Sequence, residues 1–63
     1  SWARKIIWAY QRLRAQGKSF YWSDIRKLSG VKKKNFSTVM PHLKEHTDDE
    51  TANQIIALVA ADT

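Results

Sequence analysis

The pentad His42-Leu43-Lys44-Glu45-His46 carries the side chains of metal-assisted hydrolysis. Two imidazoles one helical turn apart can hold a zinc ion, and a glutamate beside them can act as general base on a bound water. That chemistry also needs a third ligand, groups that orient the imidazoles, and a cleft for substrate. A chain of 63 residues has no room for the cleft, and Pro41 disturbs the backbone where a carrying helix would begin. Cysteine is absent, which removes thiolate metal sites, a cysteine nucleophile and disulfides. There is no glycine-rich phosphate loop and no nucleophile–base pair. The pentad reads as a chance occurrence, and the chain as non-enzymatic, with no cofactor, no metal and no small-molecule substrate.

Anion recognition is the second chemistry the residue types offer. Lys32, Lys33 and Lys34 stand in a row, followed by Asn35, Ser37 and Thr38. Lysines bond to phosphates, which position a protein on nucleic acid without reading sequence. Asparagine can pair with adenine through two hydrogen bonds, and serine or threonine can bond to several base groups. The charge distribution agrees. Residues 1–34 hold ten Lys and Arg against Asp24 alone, +9, whereas residues 35–63 hold Lys44 against five acids, −4, giving the net +5. A one-sided basic field attracts polyanions. Arg26, Lys27 and Lys18 extend the basic set, and Arg4, Arg12 and Arg14 widen it further, although any one of these alone is better explained by solubility. Tyr21 and Trp22 beside Lys18 have rings that stack on bases; Trp22 fits the core better, and Tyr21 is the more open of the two. The competing reading makes the lysine run a solvated helix face. Lysines oppose the dipole at a helix start, so a sequence chosen for structure alone had no reason to place them there.

The elements that must position these groups follow from periodicity. Residues 2–16 read as a helix, with Trp2, Ile6, Ala9, Tyr10 and Leu13 on one face and Gly17 as a left-handed stop. Trp2 and Trp8 lie on different sides of it, so both cannot enter one core. Residues 20–22 are consecutive aromatics that favour extended backbone, a candidate short strand. Ser23 is a good N-cap for a second helix, with Asp24 in its first turn and Ile25 and Leu28 as its apolar pair; it ends before Gly30. A third helix begins near Lys32, with Phe36, Val39, Met40 and Leu43 inward. Pro41 either ends it near Val39 or kinks it, the helix then resuming through His46. Thr47 and Glu50 have the spacing of a capping box for a last helix running to about Ala60, with Ala52, Ile55, Ile56 and Val59 inward. This helix closes the core or, alternatively, dimerises through its apolar face.

Taken together, Ile25, Gly30, Val31, Phe36 and Val39 resemble the pattern of the helix-turn-helix family of nucleic-acid-binding domains over residues 20–45. In that family an apolar residue anchors the first helix, glycine makes the turn, and apolar residues after it pin the recognition helix. The resemblance implies an all-α fold of three to four short helices with a central helix-turn-helix, or alternatively a winged variant with residues 20–22 as its first strand. It implies that residues 32–40 form a recognition helix in the major groove of double-stranded DNA, with free N–H groups at its start helping to hold phosphate. Transcription regulation in a bacterial cytoplasm and nucleoid or in a nucleus would follow, with a homodimer or other domains of a longer protein as further partners.

Length sets the remaining bounds. So short a chain forms one domain and buries only about 60% of the surface its unfolded form exposes. It begins with Ser, which reads as a domain excised from a larger protein. No apolar run approaches the roughly 18 residues that would span a bilayer, and no signal peptide is visible. Two other functions compete with DNA binding. A helical protein-interaction module would use the surplus of aromatics and the basic–acidic split. An RNA-binding domain would use the same lysines and aromatics.

Overall fold

A computed structural model of the chain describes residues 1–61. Among the described residues four α-helices form: α1, Trp2–Ala15; α2, Trp22–Ser29; α3, Lys33–Val39; and α4, Asp49–Ala61. A 3₁₀ helix, Met40–Glu45, continues directly from α3. The fold is all-α, as expected. Among the described residues there is no strand, so the winged alternative does not form. No helix among them is long and apolar enough to cross a membrane.

One large side chain from every element meets at the centre. Ile6 of α1, Ile25 of α2, Phe36 of α3, Leu43 of the 3₁₀ helix and Ile55 of α4 are all fully buried. Each contributes about 1.5–3 kcal/mol by leaving water. Ala3, Ile7, Ala9, Tyr10, Val31, Val39 and Ala52 complete the core. Helix α1 packs against all the other elements. Tyr10 donates its hydroxyl hydrogen to Gln54 Oε1, and Arg14 donates to both Tyr10 and Gln54, which ties α1 to α4.

Several local expectations are corrected. Residues 20–22 are not a strand. Phe20 turns edge-on to Tyr10, ring centres 5.8 Å apart, and Trp22 already begins α2. The N-cap of α2 is Tyr21, not Ser23. Tyr21 has no side chain that suits a cap; the bond formed is the reciprocal one, the Tyr21 N–H donating to Asp24 Oδ2 at 2.9 Å. At α4 the cap falls one residue later than expected. Asp48 Oδ2 accepts the Thr51 N–H at 2.9 Å, and Asp48 Oδ1 accepts the Thr51 hydroxyl at 2.7 Å. Thr47 only donates to Asp48, at 3.2 Å, and Glu50 does not reach back to the chain before it but receives Gln54 Nε2. Trp2, Leu28 and Ile56, all assigned to inward faces, are 47%, 39% and 38% exposed. In so thin a core the flanks of each stripe stay at the surface.

Pro41 resolves into an ending and a continuation. Its missing N–H removes a bond of the α-helical ladder, and the chain tightens into the 3₁₀ helix rather than leaving the helical path. Met40, expected to avoid helical geometry before proline, stays helical at φ −50° and ψ −44°. The two glycines behave as expected, Gly17 at φ 71° and Gly30 at φ 73°.

Candidate nucleic-acid interface

The turn between α2 and α3 sets the site. Gly30 closes α2 in the left-handed region, its N–H donating to the Arg26 carbonyl. The Ser29 hydroxyl donates to the same carbonyl and accepts the Val31 N–H. Val31 is buried, so the chain is pinned immediately before the lysines. Lys32 is then the N-cap of α3, in extended backbone and with no side-chain capping bond. Phe36 and Val39 point inward three residues apart, which turns Lys33, Lys34, Ser37 and Thr38 outward.

Lys32, Lys33, Lys34, Ser37 and Thr38 are all exposed, and Asn35 is half-buried on the flank of α3. Thr38 donates its hydroxyl hydrogen to the Lys34 carbonyl at 3.1 Å, so only its lone pairs face outward. Ser37 keeps both capacities. Helix α3 has seven residues, shorter than the expected 32–40, so little dipole accumulates at its start. Any anion there would be held by side chains.

Among the described residues Arg26 is the cation of the set with a ring contact. Its guanidinium carbon lies 5.8 Å from the centre of the Trp22 ring, one turn earlier on α2. Trp22 leans on Phe36 of α3, ring centres 5.7 Å apart. Trp22 is therefore partly core, as expected, and also the surface that carries Arg26. Arg26 Nε is buried without a hydrogen-bond partner among the described residues. The i, i+4 spacing of tryptophan and arginine signals such a pair, and sequence reasoning overlooked it.

The site residues separate into two groups. Arg26 and Lys27 stand at the end of α2 that leads into α3, beside the lysine run. Tyr21 is the N-cap of α2, about 7–9 Å of helical rise before Arg26 and Lys27, and Lys18 precedes it in the connection from α1. Both are exposed, Tyr21 at 66%.

No lysine or arginine is ion-paired among the described residues; the single pair there is His42 with Glu45, at 3.5 Å. Asp24, the one acid of the basic half, already accepts a backbone N–H. His42 to Glu45 of the pentad lie on the 3₁₀ helix, and His46 is its C-cap. At three residues per turn, side chains four apart diverge by about 120°, so the motif loses the shared α-helical face its chemistry requires. Among the described residues no three His, Cys, Asp or Glu side chains gather as a metal ion would need.

Comparison with protein families, with curated proteins and with solved structures gives no match.

Proposed function

We propose that the chain is a non-enzymatic DNA-binding domain that sets α3 against the major groove of double-stranded DNA. The observation that carries this reading is a set of cations without internal partners. Lys27, Lys32, Lys33 and Lys34 flank the α2–α3 turn, exposed and without ion pairs among the described residues, and Arg26 beside them lies against an aromatic ring. A scaffold using charge only for its own stability would pair some of them. The helix-turn-helix resemblance of residues 20–45 supports the same reading. An α-helix with its side chains is about 10–12 Å across, which suits a groove about 12 Å wide.

In this account Lys32, Lys33, Lys34, Arg26 and Lys27 take phosphates. Asn35 and Ser37 touch base edges, and Thr38 accepts from a base amino group because its own hydrogen is committed. Lys18 and Tyr21 meet the backbone further along the duplex. The test compares two substitutions over a panel of duplexes. Lys33→Ala weakens binding alike for every sequence and flattens the salt slope by about 0.9. Asn35→Ala flattens the preference among sequences. Preference that survives Asn35→Ala removes the proposed base reader.

A further inference from the structure

The outward face of α1 carries a second cationic surface with an apolar centre. The side chains of Arg4, Lys5, Trp8, Gln11 and Arg12 are exposed, and at about 100° per residue they fall within an arc of about 120° with Trp8 near its middle. Trp8 is 51% exposed, an unusual investment of tryptophan outside a core this small. Neither its ring nor the side chains of Lys5 and Arg12 make a hydrogen bond, ion pair or ring contact with the described residues. Residues 2–15 contain no acid. Arg14, by contrast, is engaged with Tyr10 and Gln54 and lies off this arc. This face shares no residue with the outward face of α3, and both helices pack their other sides on one core.

We infer that the Trp8 face of α1 binds an acidic protein segment, one that presents an aliphatic side chain between carboxylates. The complement of an apolar ring flanked by cations is an apolar group flanked by anions. A DNA duplex supplies the anions but keeps its base faces stacked, so it has nothing to cover the ring. A single strand would expose bases, but the convex face of one helix offers no groove for its backbone and no second ring within the arc. An acidic amphipathic segment meets both requirements: its aliphatic residue dries the indole, and its carboxylates find Arg4, Lys5 and Arg12. Tryptophan with surrounding arginine is the composition that concentrates binding energy at protein interfaces. The inference is independent of the DNA reading, since it uses no residue of α3.

The experiment titrates the 63-residue chain with a synthetic amphipathic peptide of glutamate and leucine, leucines at helical spacing, followed by NMR. The expected result is shifts confined to α1 and the Trp8 indole N–H, with binding weakened about tenfold or more by Trp8→Ala and unchanged by Lys33→Ala. Polyglutamate of the same length binds about tenfold more weakly, because it has nothing to cover the ring. Trp8 lies outside the core, so Trp8→Ala keeps the fold; should it not, Arg12→Glu gives the same reading through charge. The inference is overturned if polyglutamate matches the leucine peptide, or if the shifts centre on residues 32–38. It is equally overturned if oligothymidine or phosphatidylserine vesicles engage Trp8 at lower concentration than the peptide does.

Discussion

Arg26 shows how one residue joins stability to function. Its guanidinium carbon lies 5.8 Å from the centre of the Trp22 ring, a contact the neighbouring lysines lack, so in the proposed DNA reading the lysines would be the side chains to be ordered on binding. Arg26→Lys keeps the charge but loses the stacking. It is expected to leave the salt slope unchanged, to lower folding stability by about 0.5–1 kcal/mol, the size of a modest cation–π contact, and to weaken duplex binding only through the added cost of ordering the side chain. A fluorescence titration of both proteins checks this. Gly30 is the other decisive single residue. A Cβ there would meet nothing within 4 Å, so the whole cost of Gly30→Ala is its backbone angle. The expected loss is about 1 kcal/mol, read by urea unfolding. Gly30 was legible in the sequence because few residues tolerate its conformation. The Arg26–Trp22 pair was not, because each residue had a plausible separate role.

At the scale of elements, the caps and the proline decide where helices begin and end. Hydrogen bonds from the Thr51 hydroxyl and then the Thr51 N–H hold the Asp48 carboxyl below the ordinary aspartate range. A depressed pKa in the folded state stabilises the fold above the unfolded value, and that stability is lost as pH falls through the folded one. The melting temperature should therefore drop on acidification through and below the ordinary aspartate range. Asp48→Ala should lower it at neutral pH and remove that part of the acid dependence. Thermal melts of both proteins across the acid range decide it; identical pH profiles would contradict the cap. Pro41→Ala restores a backbone donor inside a helical path. It should convert part of Met40–Glu45 to α-helix, visible as added helicity in circular dichroism. The sequence placed the helices well because their apolar residues recur at helical spacing. It misplaced the cap of α4 by one residue because Thr47 and Asp48 are both capping types, and only the backbone path chooses between them. It missed the start of α2 because Asp24 caps from inside the helix.

For the whole molecule, five buried side chains from five elements form one small core. Stability in a chain of this size is a few kcal/mol, and Phe36→Ala removes about 3–5 kcal/mol. Phe36→Ala should therefore leave the chain largely unfolded, its amide spectrum collapsed, while Lys34→Ala at the surface leaves the melting temperature within about 4 °C. The central residues of each stripe were legible from spacing alone. Trp2, Leu28 and Ile56 were not, because periodicity gives the direction of a side chain and not the thickness of the core it points toward. The basic character of the candidate site was legible from composition. Its division between the two ends of α2 emerged only once the length of that helix was known.

The charge distribution of the whole molecule supplies the most direct test. Duplex DNA is titrated into the domain, amide shifts are recorded, and the series is repeated at several salt concentrations. The account predicts shifts centred on residues 32–38, with log K falling against log salt at a slope of about −4 to −6, the signature of several phosphate contacts. An unchanged spectrum at low salt would make the lysines a solvated face and contradict the DNA reading.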